Sequence, residues 1–216
     1  MKRCAIVVAV LVLAAMPVAA WASSSLLGPT GLLLIPTAEA LGMSQWNVGG
    51  SLLTDDAADV TALYANVGLW KGLEIGASWL KPEGADAETF VNAKLALPQP
   101  LPLKLSVAVG VMDLTDQVDS TPYVVFSHTL GGGLIMRKGA LSSPQVHVGL
   151  GGGQLDGLFG GVSAKVGDRI DVMAEYDGTN LNLGAKMPLS ANLSVTAAAL
   201  DGLGDFGVGV SFGSPW

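Results

Sequence analysis

The chain is poor in the groups that most enzymes and disulfide scaffolds rely on. Its 216 residues hold one cysteine, Cys4, and two histidines, His128 and His147. A single cysteine makes neither an intrachain disulfide nor a thiolate metal site. Charged residues make up only 13% of the chain and aromatics 6%. No basic stripe is present, which argues against nucleic acid as a partner. After the first twenty residues there is no long charge-free apolar run, so no membrane-spanning helix is expected there. Nucleophile elbows, phosphate-binding Walker loops and His/Cys metal clusters are also missing. No cofactor and no catalytic residue is expected.

What remains is unusually apolar. Half of the residues are hydrophobic, and mean hydropathy is +0.51. The N-terminus explains only part of this. Lys2 and Arg3 precede an apolar run from Cys4 to Val18, and Ala20-Trp21-Ala22 supplies small residues at the positions a signal peptidase reads. This is the three-part plan of a secretory signal, with cleavage expected after Ala22. Removing it leaves nine basic against 18 acidic residues, a net charge of −9. Membrane-grade composition without membrane helices points to the other structure that satisfies its backbone in lipid, a closed β-barrel.

Periodicity agrees. Leu105, Val107, Val109 and Val111 alternate with Ser106, Ala108 and Gly110, and Leu73, Ile75, Ala77 and Trp79 alternate with Glu74, Gly76 and Ser78. The same period of two recurs around Val91, Val172, Leu183 and Val208. Lys71-Gly72 and Gly167-Asp168 are hairpin-length turns. Looser connections rich in Asp, Gly and Thr fall between the short ones, as in an up-and-down barrel. About twelve strands are expected (10–14) by spacing, centred near Val48, Ala65, Ala77, Ala93, Val107, Val125, Val148, Val162, Val172, Leu183, Val195 and Val208. The alternation is weakest from Tyr123 to Arg137. Trp46, Trp70, Trp79, Tyr176, Phe206 and Phe212 lie near strand ends, where interface girdles belong.

The fold expected is therefore an all-β, antiparallel, up-and-down transmembrane barrel. It is divided as 1–22 signal, 23–43 N-terminal segment and 44–216 barrel. A soluble sandwich has the same alternation with the faces reversed. The barrel places Glu74, Asn92, Lys94, Lys104, His147, Lys165, Asp171, Glu175, Asn182 and Lys186 in the lumen. Lumen charges are expected to pair, Asp171 and Glu175 with Lys165 or Lys186 across strands. Gly149-Leu150-Gly151-Gly152-Gly153 reads as a flexible strand end. Asn192-Leu193-Ser194 is a glycosylation sequon by spacing alone.

The N-terminal segment differs from the wall. Leu32, Leu33, Leu34 and Ile35 are apolar in succession, between Pro29 and Pro36. Such a run lacks the two faces of a barrel strand and needs burial on all sides. It forms either a plug inside or against the periplasmic mouth, or an edge strand closing the barrel. Thr37 is expected to cap a short helical turn through Ala38, Glu39 and Ala40, ended by Gly42.

Gly28-Pro29-Thr30-Gly31-Leu32-Leu33-Leu34-Ile35-Pro36-Thr37-Ala38-Glu39 resembles the opening segment of YjbH-like outer-membrane β-barrel proteins. Ala174-Glu175-Tyr176-Asp177-Gly178, Asn182-Leu183-Gly184 and Leu193-Ser194-Val195-Thr196-Ala197 are similar to a recurring strand pair of that group. The resemblance implies an outer-membrane location, a non-enzymatic envelope role and a link to exopolysaccharide production. Its implied partners are outer-membrane lipid and polysaccharide or export-machinery proteins. Two other readings stay open at this level. They are a periplasmic β-sandwich binding module and a barrel-embedded hydrolase or acyltransferase.

Overall fold

The computed structural model describes residues 23–54, 58–98, 105–130, 141–167 and 169–214. They form twelve strands. The first six are β1 (Trp46–Leu53), β2 (Val60–Trp70), β3 (Leu73–Pro82), β4 (Glu88–Ala96), β5 (Leu105–Met112) and β6 (Thr121–Thr129). The second six are β7 (Leu141–Gly151), β8 (Gly157–Val166), β9 (Ile170–Tyr176), β10 (Leu181–Pro188), β11 (Leu193–Leu200) and β12 (Asp205–Gly213). Each strand pairs antiparallel with its sequence neighbour, and β1 pairs with β12 to close the sheet. All twelve expected strand centres fall inside these strands. The ambiguous stretch resolves as β6, and its remainder, 131–140, lies outside the described residues.

The wall is inside out relative to a soluble sandwich. Along β2, Leu63 and Val67 are 52% and 37% exposed, while the intervening Tyr64 and Asn66 are buried. Leu95, Val109, Phe126, Val148, Val162, Leu183 and Val208 repeat the outward pattern. An apolar exterior around a polar interior suits hydrocarbon outside. The even strand number brings the start of β1 and the end of β12 to one end, hereafter the terminal end. The opposite end is the loop end. Trp46, Trp70 and Phe212 ring the terminal end, with Trp46 and Phe212 in tilted contact at 5.6 Å. Trp79, Tyr176 and Phe206 lie toward the loop end.

Inside, three aromatic rings cover glycines on the neighbouring strand. Tyr64 faces its register partner Gly49, Tyr123 faces Gly110 and Phe159 faces Gly149. A Cβ on Gly149 would stand 2.1 Å from Phe159 Cζ, so only glycine admits the ring.

Residues 24–41 occupy the barrel interior. Leu26, Leu32, Leu33, Ile35 and Ala38 form one buried cluster with the wall residues Ala108, Tyr123, Val125, Phe159 and Met173. Isolated bridges Ser24↔Thr30 and Gly31↔Pro36 fold the segment on itself. It adds no strand to the wall. The expected helical turn at Thr37 does not form. The Thr37 N–H points back to the Thr30 carbonyl (3.4 Å), and the Ala38 N–H goes to Ser127 Oγ (2.9 Å). The Leu41 N–H, which a helical turn would return to the Thr37 carbonyl, goes instead to Glu74 on the wall (3.0 Å).

Candidate functional site: a plugged lumen and its vestibule

A backbone segment without regular pairing brings unmet N–H and C=O groups into a space that hydrocarbon surrounds. Each needs a partner. Four charged wall residues supply most of them. Glu74 on β3 accepts the N–H groups of Thr30 (2.9 Å) and Leu41 (3.0 Å) and the Thr30 hydroxyl. Glu175 on β9 accepts from Leu33 (2.9 Å), Leu34 (2.8 Å) and Ile35 (3.5 Å), and from Asn182 Nδ2 (3.3 Å). Lys94 on β4 donates to the carbonyls of Thr30 and Glu39. Lys186 on β10 donates to those of Ser24 (2.7 Å) and Gly31 (2.8 Å). Bonds with one ionised partner are the stronger kind. All four side chains are buried.

Neutral groups complete the cradle. Ser51 Oγ donates to the Leu26 carbonyl (2.6 Å) and Ser78 Oγ to that of Leu27 (2.8 Å). Asn66 Nδ2 donates to Gly28 O (2.8 Å) and to Asn47 Oδ1 (2.7 Å). Asn92 Nδ2 donates to Ser78 Oγ (2.9 Å), and its Oδ1 accepts the Asp113 N–H (3.0 Å). Asn182 ties β10 to the β11–β12 connection through the Asp201 N–H (2.9 Å). The inward glycines are sockets. A Cβ on Gly184 would stand 2.6 Å from Leu33 Cδ2, and one on Gly161 would stand 2.6 Å from Leu32 Cδ1. Sequence reading missed Ser51, Asn66, Ser78 and Ser127 as contact residues. Their signal was their place on the same strand face as the lumen charges.

The expected charge pairing therefore needs correction. Lys165 and Asp171 do bond, at 2.9 Å and 3.0 Å. They form a salt bridge across β8 and β9. Glu175 and Lys186 instead turn to the segment between them, because its bare amides and carbonyls lie within reach. Lys104 lies outside the described residues.

The segment does not fill the lumen evenly. Leu26 packs toward Gly207 and Gly209 on β12, and Gly28 toward Tyr64 and Ser78. On the other side, against β4–β10, a cavity of about 630 Å³ remains at the terminal end. We call it the vestibule. Lys165, Asp171, Gln145, Ser163 and His147 line it from the wall, and Thr37, Ala38, Glu39 and Ala40 form its floor.

One group of residues beside the vestibule has the make-up of a nucleophile next to its base. Ser127 Oγ lies 2.7 Å from His147 Nδ1, and His147 Nε2 lies 3.4 Å from Ser163 Oγ. A nucleophile must reach its substrate. Ser127 is 3% exposed and its oxygen already accepts the Ala38 N–H. Ser127, bonded to His147, holds the N-terminal segment at Ala38. Among the described residues no group of three or more potential ligands is placed to hold a metal, and no helix is long and apolar enough to cross a membrane.

No protein-family model matches the chain, and no curated protein matches it. Solved structures similar to it include the following two. A protein described as "KdgM porin" superposes with a TM-score of 0.55 at 12% identity, covering 77% of this chain and 98% of its own. The Acinetobacter baumannii outer membrane protein Omp33 gives a TM-score of 0.48 at 10% identity, covering 80% and 98%. The first of these likenesses places the chain among closed outer-membrane-type barrels by fold.

Proposed function

We propose that this protein is a non-enzymatic outer-membrane barrel with a transport-related envelope role, closed at rest by its own N-terminal segment. In this reading residues 1–22 are the export signal, 23–43 the plug and 44–216 the wall. Both barrel ends then face the periplasm, as is usual for bacterial barrels. The observation that carries the proposal is the polarity of the wall. An apolar exterior surrounds four buried charges, Glu74, Lys94, Glu175 and Lys186, that bond to a segment lying across the lumen. The similarity to a porin supports a barrel of this kind.

The link to exopolysaccharide export rests on the resemblance of Gly28–Glu39 and the 174–197 segments to YjbH-like proteins. It makes outer-membrane lipid, polysaccharide and export-machinery proteins the partners. Membrane fractionation should recover the chain in the outer membrane, with heat-modifiable mobility on gels. In planar bilayers the whole chain should conduct little. A chain lacking residues 24–42 should keep its heat-modifiable band and conduct measurably more. Equal conductance of the two would sink the plug reading.

A further inference from the structure

The vestibule has a chemistry of its own. Its volume, about 630 Å³, falls within the ~300–1,000 Å³ of small-molecule sites. The charges around it leave little for a charged ligand. Lys165 and Asp171 neutralise each other. Lys186 is buried and directs two of its three N–H donors to backbone carbonyls. Glu39 adds a carboxylate that repels anions. The groups left facing the space are two-way hydrogen-bonding groups. The Thr129 and Ser163 hydroxyls donate and accept, and the Gln145 amide offers both kinds of atom. Gln145 Nε2 reaches Thr129 Oγ1 at 3.3 Å. Among the lining residues, Leu97 and Met173 provide apolar surface.

We propose that the vestibule binds one end of a neutral oligosaccharide. Such a ligand carries many hydroxyls that also donate and accept, no net charge, and apolar C–H faces. A lipid would leave the wall's hydroxyls unmet. The site opens at the terminal end and is floored by Thr37–Ala40. A sugar bound there lies against the plug, on the side from which exported cargo arrives. This rests on the transport reading above and names its substrate class.

The test uses the full mature chain in detergent, titrated calorimetrically with three probes. They are maltoheptaose, a galacturonic acid trimer and a glucosamine trimer. Maltoheptaose should bind, and the anionic and cationic trimers should bind at least about tenfold more weakly or not at all. Gln145→Leu and Thr129→Val should each weaken maltoheptaose binding by about fivefold to tenfold, the loss of one or two hydrogen bonds. Heat-modifiable mobility checks that each variant folds. Tighter binding of either charged trimer overturns the neutral class. Absence of maltoheptaose binding, or binding indifferent to both variants, overturns the site. The transport reading fails separately. Cells lacking the protein would then secrete unchanged amounts of polysaccharide even though maltoheptaose binds the purified chain.

Discussion

Strands β1–β6 and β7–β12 match at several places, and the places where they part explain the interior. Asn47-Val48-Gly49 in β1 corresponds to His147-Val148-Gly149 in β7. Tyr64 covers the first glycine and Phe159 the second. Ala93-Lys94 in β4 matches Ala185-Lys186 in β10, and Leu105-Ser106-Val107 opens β5 as Leu193-Ser194-Val195 opens β11. The two lysines hold consecutive plug carbonyls, those of Thr30 and Gly31. Their cross-strand neighbours differ. Opposite Lys94 stands Glu74, and opposite Lys186 stands Asp171. The longer carboxylate reaches the plug. The shorter one pairs with Lys165 and borders the vestibule. On the second side Glu175, four residues further along β9, takes over the plug amides. One methylene and one shifted acid separate a closed grip from an open pocket.

Breaking the first grip should have the largest effect. Glu74→Gln puts an amide where the Thr30 and Leu41 N–H groups point, and removes the negative charge beside buried Lys94. Breaking a buried charge arrangement on one side costs about 3–5 kcal/mol. The plug should become a protease target between residues 24 and 45, and bilayer conductance should rise. Asp171→Asn should leave the plug protected. Equal protease sensitivity of the two variants would show that the halves grip alike.

The aromatic covers come next. Gly149→Ala drives a methyl into Phe159, an overpacking that costs about 1–3 kcal/mol. The nearest atoms to that methyl all belong to Phe159, so adding Phe159→Leu should restore most of the thermal stability. At the equivalent place, a Cβ on Gly49 meets Tyr64 and also the Val210 carbonyl at 2.6 Å. Tyr64→Leu should therefore rescue Gly49→Ala poorly. Thermal unfolding in detergent of the four single and two double variants decides the matter.

The wall was legible in the sequence because its signal is periodic. Period-two alternation placed every strand and gave the inward direction of Glu74, Lys94, Glu175 and Lys186. The four-residue apolar run Leu32–Ile35 stood out because it broke that period. The contacts between the two were not legible. The path of the plug backbone follows no repeat, so nothing in the sequence says which carboxylate meets which amide. The expectation of cross-strand ion pairs treated wall charges as each other's only partners. The expected turn at Thr37 failed for a related reason, since Glu74, 33 residues away from Leu41, took the N–H that the turn would have used.

A further difference between the halves lies at the loop end. Asp113 follows β5 and Asp201 follows β11, and both adopt the left-handed region, with φ of 54° and 47°. Asp113 is enclosed by its own connection. Its carboxylate accepts the N–H groups of Val118 (2.6 Å) and Asp119 (3.0 Å) and the Thr115 hydroxyl (3.0 Å). Burial works to raise its pKa, but these donors, with the Gln117 N–H, outweigh it and hold the carboxyl below its ordinary value. A lowered folded-state pKa stabilises above the unfolded value and is lost as pH falls through the folded one. Wild-type stability should thus begin to fall below about pH 4. Asn also tolerates the left-handed region. Asp113→Asn should cost about 1–2 kcal/mol at neutral pH and flatten that acid limb. Asp201→Asn, at an exposed position, should do neither.

The smallest effect is expected at the pair that the second half uses in place of a grip. Lys165 and Asp171 are 24% and 34% exposed, at a cavity open to water. Water and counterions reach both groups, so their attraction is screened and offset by the ordering of two side chains. Pairs of this kind contribute about 0.2–1 kcal/mol. A double-mutant cycle with Asp171→Asn and Lys165→Met should return a coupling in that range. Most of it should vanish near 1 M salt, where the screening length is only about 3 Å. Glu74 supplies the contrast, because it has no such access to water. A coupling above about 2 kcal/mol that survives high salt would mean that the vestibule is dry. The second half would then hold its charges as the first does, and the distinction between grip and pocket would fail.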